Sequence, residues 1–192
     1  MFKTIKTYRS KSLRMPGWDY SRNGKYFITM TVEGWHHWFG EIVNGEMVLS
    51  DFGRIVQDEW YKSFNIRKEL YLDEFQLMPN HLHAIVVLKN TSPKIDISAF
   101  PDDDTIVRLP LKMEPKSISS FIAGFKSAST CRVDDFIDEA GLDVPKFNRK
   151  NRLWHNDYYD IIVRNDRQYK NFKNYIINNV RKWVEDKFNA RK

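Results

Sequence analysis

Two histidines separated by one residue are the positions in this sequence best placed to do metal chemistry. His81 and His83 flank Leu82 and open an apolar, β-branched run that ends at Leu88. Such a run predicts a buried strand, and alternate side chains of a strand point to the same face of its sheet. The two imidazoles therefore lie side by side, an arrangement that can hold one divalent metal ion. The alternative is a chance His-x-His pair without a ligand.

Tyr175 and Asn179 form a second candidate pair, one helical turn apart. The helix that carries them has an apolar stripe, made of Phe172, Ile176, Val180 and Trp183. A tyrosine hydroxyl has a pKa near ~10 and attacks poorly unless a neighbouring group activates or aligns it. The amide oxygen of Asn179 is a suitable hard ligand for magnesium or manganese. On the helix pattern alone, Tyr175 could equally be an aromatic side chain that seals the helix against a sheet.

The N-terminal segment combines positive charge with aromatic rings. Its candidate DNA-binding residues are Arg9, Arg14, Trp18 and Tyr20. Single-stranded nucleic acid requires cations for its phosphates and flat faces for its bases. The whole chain has 31 Lys and Arg against 25 Asp and Glu, and the net charge of +6 suits a polyanionic partner without requiring one. An ordinary solvated arm is the alternative.

Length and composition exclude several other classes of protein. A chain of 192 residues that is 42% hydrophobic and 15% aromatic can bury a proper core and is not disordered. No stretch is apolar for the ~18 residues that a membrane span needs, and the first residues lack the apolar core of a signal peptide. The single cysteine, Cys131, excludes an intramolecular disulfide and suits a reducing compartment. We therefore expect a cytoplasmic protein with no membrane partner.

The order of predicted elements indicates an α+β fold. Strands are predicted at residues 26–32, 71–78, 81–88 and 158–163, with a further hairpin at 39–49 around Asn44-Gly45. Helices are predicted to begin at Ser50 or Asp51, at Ser117 and at Asp166, the last running to about residue 187. This order is the ferredoxin-like split βαβ pattern, an antiparallel sheet with helices on one face, here with one appended C-terminal helix. The histidine strand falls at the centre of that sheet.

The chain is predicted to be one domain over residues 1–192. A basic N-terminal arm covers about residues 1–24, and a flexible insertion covers about residues 90–115. The insertion is predicted because this stretch is polar, contains four prolines and includes the acidic run Asp102-Asp103-Asp104.

Five short motifs occur in an order that resembles a known family. They are Met-Pro-Asn-His-Leu-His at 78–83, Phe125-Lys126-Ser127, Leu153-Trp154 before a Tyr-Tyr-Asp strand, Val163-Arg164-Asn165, and Tyr175-Ile176-Ile177-Asn178-Asn179. Together they resemble the REP-associated tyrosine transposases of the single-tyrosine HUH superfamily. The resemblance extends over nearly the whole chain, from about residue 9 to residue 187. The Met-Pro-Asn-His-x-His motif with a downstream Tyr-Ile-x-x-Asn is its most specific part.

The resemblance implies a nuclease domain that acts on single-stranded or hairpin DNA. It implies that His81, His83 and, less directly, Asn179 hold Mg²⁺ or Mn²⁺. It also implies that Tyr175 attacks a phosphodiester and forms a 5′-phosphotyrosine link. Further DNA contacts would come from Lys126, Trp154 and Arg164. The resemblance also implies a nucleoid-associated protein in a bacterial-type cytoplasm. A homodimer is compatible with the family, because the tyrosine helix of its members can serve its own subunit or a partner's.

The sequence departs from the family pattern at three secondary positions. Val180 stands where the family usually has proline, His155 where it has glutamine, and Ile161 where it has histidine. Two alternatives to a transposase stay open. One is a domesticated protein that recognises hairpins or repeats without cutting them. The other is a metal-dependent phosphoesterase without a covalent step, which would need a general base, and no carboxylate in the motifs stands out for that role.

Overall fold

Four antiparallel strands form the central sheet of the computed structural model, which describes residues 18–90 and 115–189. The strands are β1 Gly24–Thr31, β4 Leu70–Met78, β5 His81–Leu88 and β6 Tyr159–Val163. Their order in the sheet is β4-β5-β1-β6, which is the order of a ferredoxin-like fold and confirms the predicted α+β class. The histidine strand β5 is central, as predicted. Residues 1–17 of the predicted arm, with Arg9 and Arg14, and residues 91–114 of the predicted insertion lie outside the described residues.

The predicted hairpin and first helix follow β1 in the chain. Strands β2 Gly40–Val43 and β3 Glu46–Leu49 pair with each other and are joined by Asn44 and Gly45, with φ values of 52° and 79°. Two successive positive φ angles are what a two-residue hairpin turn requires, and Asn-Gly provides them at low cost. Helix α1 Asp51–Ile66 begins next, and the hydroxyl of Ser50 caps it by accepting a hydrogen bond from the Gly53 amide at 3.0 Å.

Helix α2 Ile118–Glu139 packs with α1 on one face of the sheet. Ser117 and Ser120 form a reciprocal capping box at its first turn. The core between these helices and the sheet is rich in aromatic side chains, including Trp60, Phe75, Phe121 and Phe125. This large apolar cluster fixes the sheet as a rigid platform. In the described ranges, no helix has the length and apolarity to cross a membrane.

Helix α3 Asp166–Asn178 lies on the opposite face of the sheet, so the fold has helices on both faces rather than on one. Its N-cap is Asn165, whose side chain accepts from the Gln168 amide at 2.9 Å, and not Asp166 as predicted. The helix also ends earlier than predicted. The Asn179 amide bonds back to the Ile176 carbonyl three residues earlier, which tightens the last turn, and a 3-10 segment, Val180–Glu185, continues the chain.

Strand β5 presents a different type of side chain to each face of the sheet. Leu82, Ala84 and Val86 point into the core under α1 and α2. His81, His83 and Ile85 point to the face covered by α3 and the segment after it. The alternation predicted from the sequence therefore places both imidazoles on one face, beside the helix that carries Tyr175.

Candidate active site

His83 is held in one orientation by partners on two different elements. Its Nδ1 lies 2.7 Å from the hydroxyl oxygen of Thr29 on the adjacent strand β1. Its Nε2 lies 3.2 Å from the hydroxyl oxygen of Tyr175 on α3. The imidazole is almost completely buried. The contact between Thr29 and Nδ1 fixes the orientation of the His83 ring, so that Nε2 points into the site. Thr29 is therefore a positioning residue for Nε2 of His83.

His81 is oriented by the residue before it. Its Nδ1 lies 2.8 Å from the side-chain oxygen of Asn80. The amide nitrogen of Asn80 is committed elsewhere, because it donates to the carbonyls of Trp35 and Phe188 at 3.2 and 3.0 Å. Asn80 therefore accepts from His81, which places the ring proton on Nδ1 and a lone pair on Nε2. This Nε2 atom is buried and has no hydrogen-bond partner within the described part of the chain.

Asp186 completes a cluster of three groups that can ligate a metal ion. One ligand atom from each of His81, His83 and Asp186 lies within 4.8 Å of the others. Sequence reasoning missed this carboxylate, because it expected the C-terminal helix to continue past it. In the structure the helix ends at Asn178, and the 3-10 segment turns the chain so that Asp186 reaches the histidines. The only signal in the sequence was an acidic residue shortly after the apolar stripe.

Burial dominates the ionisation of these groups. It lowers the pKa of His83 to about 3 and holds the pKa of His81 well below its usual value of 6.5. Both imidazoles are therefore neutral at physiological pH, which is the state that binds metal. Burial also raises the pKa of the Asp186 carboxyl. Burial first, and then the negative charge of Asp186, raises the pKa of Tyr175 to about 12.

Helix α3 is fixed to the sheet by aromatic stacking and a cluster of charged groups. The ring of Phe172 stacks on that of Phe27, with centroids 4.5 Å apart and planes inclined by 12°. Two other side chains of α3 bond to Asp73 of β4, which accepts from the Tyr169 hydroxyl at 2.9 Å and from the Lys173 ammonium at 3.1 Å. These contacts set the position of Tyr175 relative to the histidine strand. None of them was predicted from the sequence.

Asn179 lies in the same region, as predicted, but its role stays a prediction. The residue is almost completely buried and lines the cleft that contains Tyr175 and His83. Its side-chain amide nitrogen is buried and makes no hydrogen bond of good geometry within the described ranges, although the Asn179 side chain is close enough to the Tyr175 hydroxyl to oppose the rise of its pKa. A buried donor without a partner is costly, so the atom suits an acceptor brought by a ligand, such as a phosphate oxygen.

The cleft has a volume of about 830 Å³. Tyr175 and His83 stand in its wall, with Phe27 and Thr29 of β1. Lys182, Asp186 and Lys187 also line the cleft. The cleft therefore brings a hydroxyl, a candidate metal site and two cations to one place.

The three predicted DNA-binding aromatic residues differ in burial. Tyr20 and Trp154 are buried in the main core, and Trp18 is partly buried against it. The Trp154 indole donates to the Ser129 hydroxyl at 2.9 Å, and the Trp18 indole donates to the Tyr26 hydroxyl at 3.3 Å. All three residues therefore contribute to packing, and DNA binding by them stays a prediction.

The predicted cationic DNA contacts differ in their surroundings. The ammonium group of Lys126 donates to the backbone carbonyls of His155, Asn156 and Asp157 at 2.7, 3.1 and 3.3 Å, so it holds the loop that leads into β6. Arg164 is exposed at the end of β6. Binding of DNA by Lys126 and Arg164 stays a prediction.

Comparison with known proteins supports the fold. No protein-family model matches the chain. A protein of Haemophilus influenzae, described as uncharacterized, is 29% identical over 184 residues that cover 93% of this chain and 92% of the relative. Among solved structures, the chain is similar to a REP-associated tyrosine transposase bound to a REP hairpin, with 17% identity and a TM-score of 0.51. That match covers 90% of this chain and 76% of the transposase. The chain therefore has the fold of a REP-associated tyrosine transposase, which confirms the resemblance predicted from the motifs.

Proposed function

We propose that this chain is a tyrosine transposase-type endonuclease that cleaves and rejoins single-stranded DNA with the help of Mg²⁺ or Mn²⁺. The observation that carries the proposal is the 3.2 Å contact between the Tyr175 hydroxyl and Nε2 of His83. It joins a nucleophile to a buried, correctly oriented imidazole at the wall of one cleft. Packing alone does not explain why an exposed tyrosine, two buried histidines and a partly buried aspartate converge there.

Tyr175 is the proposed nucleophile. Its oxygen forms a bond to phosphorus, the bond from phosphorus to the 3′-oxygen breaks, and the 3′-oxygen leaves as a hydroxyl. The product is a 5′-phosphotyrosine, which conserves the energy of the broken linkage for rejoining. With its pKa raised to about 12, the hydroxyl is protonated at neutral pH. It therefore loses its proton only as the bond to phosphorus forms. The 3′-oxygen gains one proton as it leaves, so the exchange balances, with solvent in the open cleft taking up the first proton and supplying the second.

The residues of the cluster fit a divalent metal ion. Two neutral imidazoles with their Nδ1 atoms anchored and a carboxylate form a mixed nitrogen and oxygen donor set that suits Mn²⁺ and accepts Mg²⁺. We propose His81, His83 and Asp186 as ligands, with Asn179 as an additional or alternative oxygen ligand. When bound, such an ion supplies Lewis-acid polarisation of the scissile phosphate. Thr29 and Asn80 orient the two imidazoles.

Hairpin or single-stranded DNA is the proposed partner, because the structurally similar transposase is bound to a REP hairpin. Tyr175 and His83 of this chain are in contact, which supports a site formed within one subunit. We propose that residues 1–192 act as one domain, that the basic arm with Arg9 and Arg14 adds to phosphate binding, and that a homodimer would carry two independent sites.

The direct test uses single-stranded DNA taken from the flanks of the gene. The protein is incubated with this DNA and Mg²⁺ or Mn²⁺, and the mixture is run under denaturing conditions. A protein–DNA complex that survives denaturation supports the proposal. Binding without cleavage, in the presence of either metal, would favour a DNA-binding protein that recognises hairpins. Cleavage that leaves no covalent complex would favour a phosphoesterase without a tyrosine nucleophile.

A further inference from the structure

Three asparagines of α3 lie beside Tyr175 on the helix face that lines the cleft. They are Asn171, Asn174 and Asn178, and we call them the amide row. Spacings of three and four residues place them in one line along the helix. The amide row is on the open side of the helix, whereas Phe172 and Ile176 occupy the side that packs on the sheet.

Folding does not explain the amide row. Asparagine is a poor residue for a helix interior, because its side chain competes for backbone hydrogen bonds. The side chains of Asn171 and Asn174 are exposed and bond to no other residue in the ranges 18–90 and 115–189. Asn178 donates its amide to the Asn174 carbonyl at 2.7 Å, which leaves its side-chain oxygen available. The side-chain amides of Asn171 and Asn174 and the side-chain oxygen of Asn178 are therefore available to a ligand.

The sheet next to the amide row has an exposed apolar surface. Helix α3 covers β4, β5 and Phe27 of β1, and the exposed part of this face is on the edge strand β6. Tyr159 and Ile161 of β6 lie opposite Thr29 and Phe27 of β1. Residues that are opposite on paired strands point to the same face, so these two side chains lie on the side of the active site. They are 47% and 45% exposed, so their apolar surfaces are accessible to a ligand beside the amide row.

We propose that the amide row reads the bases of the DNA strand that enters the Tyr175 site, with those bases lying on Tyr159 and Ile161. This inference rests on the proposed function and deepens it, because it assigns sequence recognition to the helix that carries the nucleophile. A primary amide offers both donors and an acceptor, which matches the edges of bases and most closely that of adenine. Phosphates are bound by cations instead, and Lys182 and Lys187 in the lining of the cleft supply these. The unstacked bases of a single strand expose the edges and faces that this surface can contact.

The test compares base preferences of matched variants on a randomised pool of single-stranded oligonucleotides. Wild type, Asn174→Ala and Asn174→Asp are each incubated with the pool and Mn²⁺. The DNA joined to protein and the strand released from it are then sequenced on both sides of the cut. Asn156→Ala is the control, since this asparagine is an exposed amide on the loop before β6 and outside the cleft. Alanine favours helix, so Asn174→Ala should not lower the melting temperature.

We expect wild type and Asn156→Ala to share a base preference at one or more positions beside the cut. Asn174→Ala should reduce the preference at one position by roughly 5- to 100-fold and leave the other positions unchanged. Asn174→Asp should shift the same position towards cytosine, because a carboxylate only accepts hydrogen bonds and cytosine presents an amino donor. Unchanged base frequencies in both Asn174 variants would overturn the inference and leave the proposed cleavage intact.

A binding selection separates this inference from the proposed function. Tyr175→Phe cannot form the adduct, so it is used to select bound oligonucleotides from the same pool, alone and combined with Asn174→Ala. A base preference that disappears in the double variant supports base reading even if wild type yields no covalent complex. If neither the selection nor the cleavage assay reveals a base preference, the amide row does not read sequence.

Discussion

The hydroxyl oxygen of Tyr175 lies 3.2 Å from Nε2 of His83, although 92 positions separate the two residues in the chain. Both side chains are carried by regular elements rather than by loops. His83 is fixed on the central strand through Thr29, and Tyr175 is fixed on a helix that stacks on the sheet through Phe27 and Phe172. A constellation supported in this way holds its geometry when substrate binds.

Replacing either histidine of the cluster should remove the metal site. We expect His81→Ala and His83→Ala each to abolish Mn²⁺ binding, measured by calorimetric titration, and DNA cleavage with it. His36→Ala is the control, because His36 is an exposed histidine outside the cluster. Circular dichroism should show that the fold is retained. Unchanged Mn²⁺ affinity in both variants would remove the metal hypothesis.

Asp186 and Asn179 compete for the role of oxygen ligand. A carboxylate binds a divalent cation more strongly than an amide does, so Asp186→Asn should weaken Mn²⁺ binding by about tenfold or more. Asn179→Ala should have the smaller effect on metal affinity. The comparison is made by titration of the two variants under the same conditions. The reverse order of effects would show that the motif residue Asn179, and not Asp186, supplies the ligand oxygen.

Acid should destabilise the metal-free protein because of the two buried histidines. Burial holds the pKa of His81 well below 6.5 and lowers that of His83 to about 3. Below pH 6.5 the unfolded chain therefore binds protons that the folded chain does not. The free energy of unfolding then decreases as the pH falls towards the pKa values of the two histidines in the folded protein. Each histidine contributes up to about 1.4 kcal/mol per pH unit in this window.

Denaturant unfolding with a chelator present, between pH 7 and pH 5, measures this acid effect. His83→Gln should make the dependence on pH shallower, whereas His36→Gln should leave it unchanged. An equally steep loss of stability in wild type and His83→Gln would show that other groups cause it.

The tyrosine should act on the metal site of its own subunit. Tyr175→Phe and His83→Ala each keep the group that the other lacks, so a mixture of the two tests for exchange between subunits. Because Tyr175 and His83 meet within one chain, we expect the mixture to form no covalent complex with single-stranded DNA. Recovery of the complex on mixing would mean that α3 leaves its own sheet and serves a partner.

The sequence predicted the parts of the site that depend on local patterns. The alternation of β5 is visible in its residues, and it placed His81 and His83 on one face. The position of Tyr175 one turn before Asn179 is likewise a local helical spacing. Local signals also identified Ser117 as a cap and narrowed the first cap to Ser50 or Asp51, because a cap depends on residues within one turn.

The remaining features depend on contacts between segments that are distant in the chain. Asp186 reaches the histidines only because the helix ends at Asn178 and the 3-10 segment redirects the chain. Tyr20 and Trp154 looked like DNA-stacking residues because an aromatic ring suits a base or a core equally well. Only the tertiary packing, which buries both rings, distinguishes the two uses.

The central claim is that the hydroxyl of Tyr175, and no other tyrosine, attacks DNA. Tyr175→Phe keeps the ring that meets Phe27 edge-on at a centroid distance of 6.1 Å, so α3 should stay docked while the nucleophile is lost. Three other tyrosines compete with it, namely Tyr158, Tyr159 and Tyr169. The Tyr169 hydroxyl is bonded to Asp73, Tyr158 packs against the main core, and Tyr159 is exposed on the edge strand β6.

The most direct measurement is mass spectrometry of peptides from the trapped wild-type protein–DNA complex, with Tyr175→Phe analysed in parallel. The account predicts a nucleotide attached to the peptide that contains Tyr175. It also predicts that the Phe variant forms no adduct but still binds Mn²⁺ and single-stranded DNA. An adduct on Tyr158, Tyr159 or Tyr169, or full cleavage by the Phe variant, would contradict the account.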